Sequence, residues 1–328
     1  MSADELHVVL GATGGVGRAL TAELAAQGRR VRAVSRHVDA AVGVDAHEAD
    51  VTDPAALAVA LRGADVVHHA AQPAYTRWPQ EFPAMTRTIA RAAAQVGARL
   101  VVVDNLYGYG PVPGGYGPGT AVGPMTEHTP QTATGRKGAV RAAMAAELLA
   151  LHSAGRLQVT LARLADYHGP HGTNSLLGQQ VFAAALADKP VTWLGSADHP
   201  HSVAYLPDVA RALVVLADQP GAFGAAWHLP HAPAVTPRTL VRLIQQAAGV
   251  EHRIRVLPAW LPRVAGVVVP MARELAELAY QVQAPFVADD RGFQVAFGPL
   301  ETTPHSAALA ATLDWYRQRR PAQAPALG

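Results

Sequence analysis

Short apolar runs alternate along this chain with longer stretches whose apolar positions recur every three or four residues. The runs at 6–10 (Leu6-His7-Val8-Val9-Leu10), 30–36, 44–49, 65–71, 99–104 and 157–164 read as buried strands. Between them, Val16, Leu20 and Leu24 lie on one helical face, as do Met85, Ile89 and Ala93 in a helix expected from Pro83 to Val96. A further helix is expected from about Arg136 to His152. Strands that alternate with helices predict an α/β fold with a doubly wound parallel sheet, and such sheets bind ligands at the carboxyl ends of their strands. Beyond the sixth strand the pattern predicts a helix at 176–186, short strands at 191–195 and 199–206 and a helix at 207–217. A strand at 226–229, a helix opened by Thr236-Pro237 and a closing helix from Pro304 to Tyr316 follow.

The first strand stops at Gly11-Ala12-Thr13-Gly14-Gly15-Val16-Gly17, and a helix starts at once. Strand, glycine turn and helix N-terminus make a site for a dinucleotide pyrophosphate, because the first N–H groups of a helix have no partner of their own. Gly11 makes the turn, Gly14 lets phosphates approach the backbone and Gly17 lets helix and strand pack closely. The spacing is G-x-x-G-x-x-G rather than the commoner G-x-G-x-x-G. Taken alone, it also suits a plain turn in another α/β protein.

Composition narrows the chemistry. The chain has 328 residues, 50% of them hydrophobic and 16% charged, which supports a large buried core and a smaller lobe. It has no cysteine, so disulfides, thiolate metal sites and cysteine nucleophiles are excluded. Net charge is only +2 with no basic–aromatic stripe, so nucleic acid is not an expected partner. The apolar region at 261–271 is broken by Pro262, Arg263 and Pro270, and the start of the chain lacks a signal-peptide pattern. A soluble cytoplasmic protein with no membrane partner is expected. Two lysines, Lys137 and Lys189, stand against 25 arginines. No metal site is read: His68 and His69 alternate faces of a strand, and the His199/His201 pair sits in a pattern better explained below.

The glycine spacing, Val66-Val67-His68-His69-Ala70-Ala71, Tyr109-Gly110, Lys137, Arg163 with Gly169-Pro170, Ser202 to Ala210 and Trp315-Tyr316 together resemble the extended short-chain dehydrogenase/reductase (SDR) family. That resemblance covers nearly the whole chain. It implies a Rossmann domain at 1–168 with 203–230, a smaller substrate-binding lobe at 169–202 with 231–303, a closing helix at 304–320 and a flexible tail at 321–328. It also implies a cofactor cradle of Gly11, Thr13, Gly14, Gly15, Val16 and Gly17, with Asp50 and Val51 at the adenine and Ala70 and Ala71 along the cofactor. At the end of the second strand, where an acid would select NAD(H), stand Ser35 and Arg36, with Arg32 and His37 nearby. A hydroxyl and a guanidinium favour a 2′-phosphate, so NADP(H) is expected over NAD(H).

Two departures bear on catalysis. Four residues before Tyr109 the family's serine or threonine is replaced by Asn105, whose amide can donate to a substrate oxygen but cannot relay a proton. The lysine of the family's Y-x-x-x-K is Lys137, expected on the nicotinamide ribose, but its tyrosine position is Ala133. Tyr107 and Asp166 are the favoured replacements for the missing proton donor, ahead of Asp104, Tyr167 and His168. The expected activity is hydride transfer to or from a small organic C=O or C=N group. The alternatives are an epimerase or dehydratase that recycles its cofactor, and a catalytically silent cofactor-binding sensor or scaffold. A homodimer is compatible with the family.

Overall fold

The computed structural model describes residues 4–38, 43–265 and 270–319. The expected tail at 321–328 and part of the 261–271 region lie outside the described residues. The central sheet takes β1 (Leu6–Leu10), β2 (Arg30–Ser35), β3 (Val44–Glu48), β4 (Val66–His69), β5 (Arg99–Asn105) and β6 (Val159–Leu164). β7 (Asp166–His168), β8 (Thr192–Leu194) and β9 (Val203–Tyr205) lie outside it, and β10 (Ala226–His228) returns as its seventh strand. Strand order is β10-β6-β5-β4-β1-β2-β3, with every pair parallel. The order reverses between β1 and β4, so Gly11 and Ala70-Ala71 meet at the crevice where such sheets take ligands.

One face of the sheet is covered by α1 (Gly15–Ala26) and the other by α2 (Pro54–Ala60), α3 (Trp78–Val96) and α4 (Arg136–Ser153). Both faces are sealed, which is why the strands read as continuous apolar runs rather than alternating ones. α5 (Gln179–Leu186) belongs to the lobe, whereas α6 (Leu206–Asp218) packs beside α1. The lobe core forms where α5, α7 (Pro237–Ala248) and the closing α11 (His305–Gln318) bury Phe182, Leu240, Ile244, Leu309 and Leu313. β11 (Arg255–Leu257), α8 (Leu261–Ala265), α9 (Pro270–Leu278) and α10 (Arg291–Phe297) fill the C-terminal third. Within the stretch expected in the lobe, α10 places Phe293 in the core beneath α1 and α6.

Local signals explain several boundaries. Asp53 caps α2 by accepting from the N–H groups of Ala55 and Ala56, and Pro54 takes the first helical position. Thr236 caps α7 by accepting from Thr239 N–H. Two helices depart from expectation. α3 starts at Trp78, five residues before Pro83, because Trp78 and Phe82 are buried in the core and hold that first turn in place, with Pro83 tolerated inside the helix. α5 starts at Gln179, because Gly178 lies too close to the carbonyls of Thr173 and Ser175 to admit any side chain. The short strands β8 and β9 do not pair with one another: β8 pairs with β11 and β9 with β7.

Candidate active site

The glycine turn is built by exclusion. Gly11 adopts a φ of +81°, and a Cβ there would lie 2.6 Å from Ala71 N and Cα. A Cβ on Gly17 would collide with the Gly11 carbonyl and lie 2.8 Å from Ala12 Cα. Gly11 and Ala12 donate to Val34 O, which binds the turn to the end of β2. No side chain caps α1, whose ladder opens with Arg18 N–H to Gly14 O. The N–H groups of Gly15, Val16 and Gly17 precede that bond, and the helix dipole favours an anion beside them. Gly15 faces the segment after β7: a Cβ there would sit 3.1 Å from His171 O and from the Leu206 side chain. The free N–H groups and bare glycines suit a pyrophosphate, and the segment at 171–172 lies against Gly15.

The adenosine end is open and polar. Thr13 and Ser35 share a hydrogen bond at 2.8 Å between their hydroxyls. Arg36 is exposed, close enough to hold the Asp50 carboxyl below its usual range, after the larger effect of Thr52, whose N–H and hydroxyl both donate to Asp50 Oδ1. Val51 is buried beside Asp50. His37 is also exposed. Arg32 corrects expectation: its Nε donates to Asp45 and its Nη1 to the carbonyls of Ala60 and Arg62, so it ties β2 to β3 and α2.

At the far end, Asn105 closes β5, and its Oδ1 accepts from Tyr107 N–H at 3.1 Å. This leaves the amide N–H₂ as the end available to a substrate oxygen. Tyr107 packs against Trp78, which packs against Tyr75. Burial, with Tyr75 as its close neighbour, pushes the Tyr107 phenol well above its usual value, so it carries its proton at neutral pH. Burial also raises Tyr75. Asp166 accepts from His201 Nε2 at 2.6 Å, and the His201 ring stacks on Phe286, which meets Tyr280 edge to face. Hence His201 is a partner of Asp166 rather than half of a metal pair with His199.

Lys137 opens α4, fully buried. Its ammonium lies 4.5 Å over the Tyr75 ring, ion-pairs with Glu274 and stands 4.0 Å from Glu277 Oε2. Glu277 Oε1 also accepts from Lys137 N–H at 2.7 Å, a carboxylate at a helix N-terminus made possible by the bare Gly135 beside it. Burial lowers the lysine from its usual value, against the pull of Glu277. Ala133 lies three residues ahead of α4, packed on Gly110 and Gly138. Asp104 and His168, two of the other candidates, are spent structurally. Asp104 is held by Arg163 and Arg141. Arg163 donates to Tyr109, and the Tyr109 hydroxyl donates to His228 Nε2, whose Nδ1–H is taken by Asp289 O. His168 bonds Thr312 in the interior.

Thus the structure brings Asn105, Tyr107, Asp166 and Lys137 to the carboxyl edge of β5 and β6 and adds Tyr75, His201, Glu274 and Glu277, which sequence reasoning missed. The signal available for the two acids was their i, i+3 spacing on one helix opposite a rare lysine.

A doubly wound sheet with an uncapped glycine turn at its switch point defines a dinucleotide-binding α/β protein. The profile of the NAD dependent epimerase/dehydratase family matches residues 7–227. The chain belongs to that family, and so to the NAD-dependent enzymes of extended SDR type. No curated protein matches the chain by sequence. The Streptomyces venezuelae dTDP-glucose 4,6-dehydratase DesIV, solved with NAD and TYD bound, is 19% identical over 96% of this chain and 98% of its own, with a TM-score of 0.77. The Bacillus anthracis str. Ames dTDP-glucose 4,6-dehydratase, in complex with NAD, is 14% identical over 96% and 97%, with a TM-score of 0.79. The Thermotoga maritima UDP-glucose 4-epimerase, solved with UDP-glucose, is 16% identical over 95% and 99%, with a TM-score of 0.76. At these identities the likeness is one of fold.

Proposed function

We propose that this protein is an NADP(H)-dependent oxidoreductase with a rebuilt proton-handling site, acting on a small organic C=O or C=N group. Gly11 to Gly17 hold the pyrophosphate. Ser35 and Arg36 take the 2′-phosphate, since β2 ends without an acid to repel it. Asp50 and Val51 border the adenine. The bound nicotinamide supplies or accepts the hydride. Asn105 N–H₂ donates to the substrate heteroatom and fixes its place. Tyr107 gives that atom its proton, or takes it back in the oxidative direction, with Asp166, held by His201, near enough to act on the phenol.

The observation that supports this reading is the Tyr107 phenol, two residues beyond Asn105, which burial beside Tyr75 and Asp166 keeps protonated. A positioned general acid is worth about 10²–10⁴-fold in rate. The test is NADPH oxidation against panels of carbonyl and imine substrates. Turnover lost in Tyr107→Phe with nucleotide affinity intact supports the assignment; equal turnover in that variant overturns it. Introducing a phenol by Ala133→Tyr is a companion probe, and gained ketone reduction would show that position 133 reaches the substrate.

One observation favours a second reading, a cofactor-binding protein without turnover. Lys137 is closed beneath Glu274, so the ribose contact expected of it requires α9 to yield. Tight NADPH binding with no turnover on any panel member would select this sensor reading. A recycling epimerase or dehydratase is distinguished by product formation without net NADPH consumption.

A further inference from the structure

At the amino ends of the strands, away from the glycine turn, the side chains of Glu5, His7 and Asp218 converge. Glu5 and His7 stand two residues apart where β1 begins, so their side chains share a face. Asp218 ends α6, where the helix dipole adds negative potential. Each of the three brings a ligand atom within 4.8 Å of the others. Glu5 Oε2, His7 Nε2 and Asp218 Oδ1 are all buried without a hydrogen-bond partner. His7 has no exposed surface at all. An orphaned acceptor in the interior is costly, and three close together call for an occupant.

We propose that Glu5, His7 and Asp218 form a binding site for a divalent transition-metal ion, with zinc the best match. An imidazole nitrogen and carboxylate oxygens are all zinc ligands, and three of them leave a fourth position for water. The surroundings suit this assignment. His7 Nδ1 lies 3.1 Å from His68 Nε2, so an Nδ1–H donated to His68 leaves the Nε2 lone pair directed at the site. Burial, followed by the Arg29 guanidinium, lowers His7 to about 4, so the ring is neutral at physiological pH. The other oxygens of the two carboxylates are held by cations: Arg99 Nη2 lies 2.7 Å from Glu5 Oε1, and Arg29 Nη2 lies 2.7 Å from Asp218 Oδ2. Asp65 also faces the group and accepts from Leu6 N–H. Because two arginines offset the two acids, net charge attracts a cation only weakly. Affinity rests on coordination to nitrogen, which favours zinc over magnesium or calcium. A bound ion would fasten the start of β1 to the end of α6, far from the nucleotide, in a structural role.

The test is metal content and affinity of the full chain. After chelator treatment and dialysis, zinc is titrated by calorimetry into wild type, His7→Phe and Asp218→Asn, with folding of each checked by circular dichroism. One zinc per chain in wild type, at least about tenfold weaker binding in both variants and a zinc-dependent rise in Tm confined to wild type support the site. Cobalt substitution, read by its visible absorption, supplies a measure of ligand geometry, and His7→Gln serves if His7→Phe fails to fold. Wild type that binds no zinc, or variants that bind it equally well through surface histidines, overturns the proposal. NADPH affinity measured in the same samples separates this result from the fate of the nucleotide site.

Discussion

The two ends of the nucleotide crevice are built on different principles. The phosphate end consists of backbone: Gly11 and Gly17 sit where no Cβ fits, and α1 presents N–H groups with no cap. The end to which we assign proton handling consists of side chains: Asn105, Tyr107, Asp166–His201 and Lys137 beneath Glu274 and Glu277. Backbone geometry admits almost no substitution, so the first end keeps its family form. Side-chain chemistry can be met by different residues in the same volume, so the second end departs from the pattern while the scaffold stays the same. The fold therefore assigns the cofactor class more firmly than the reaction.

Buried neutral histidines stand on strands around these ends, and pH probes them most strongly. Burial lowers His69, His168 and His228 to about 3 each. Their folded values lie below the unfolded one, so their contribution to stability is complete above about pH 6.5 and is lost as pH falls. From pH 7.5 to 5 the three together cost about 6 kcal/mol, comparable to the stability of a whole domain. Urea unfolding should show a collapse of stability across that window. A flat profile from pH 7.5 to 5 would mean that these rings meet solvent.

Next in size is the phosphate end. Gly17→Val drives a branched side chain into Gly11 and Ala12, so NADPH affinity should fall at least about 100-fold, or the protein should fail to fold. Unchanged affinity would remove the turn from the site. At the other end, Tyr107→Phe should lower turnover about 100-fold and leave NADPH binding within a factor of two. The smallest expected change is cofactor choice. Arg36→Asp should move the NADPH-to-NADH affinity ratio about tenfold or more toward NADH, as read by nucleotide fluorescence. No movement would place the 2′-phosphate elsewhere.

How far the sequence could be read follows the same division. The strands of the central sheet, the glycine turn, Asp53 as a cap for α2 and Thr236 as a cap for α7 depend on neighbours in the chain, and local pattern exposed them. The start of α3 was hidden, because Pro83 reads as the opening of a helix while the deciding contact is the burial of Trp78 and Phe82. Arg32 was misplaced for a related reason: strand alternation gives its face but not Asp45 on the next strand. Glu274 and Glu277 were missed because their i, i+3 spacing does not tell that their helix packs on Lys137, some 140 residues away. The Glu5, His7 and Asp218 cluster likewise joins the two ends of the Rossmann unit, and only the fold brings them together.

The central claim is that the glycine turn grips a pyridine nucleotide in a crevice whose proton donor is Tyr107. The most direct measurement is a parallel titration of wild type and Tyr107→Phe with NADPH, followed by single-turnover reduction of the best panel substrate. The account predicts equal, one-to-one binding by both proteins and reduction by wild type alone. Absence of binding to either nicotinamide nucleotide, or reduction at the same rate without the phenol, would contradict it.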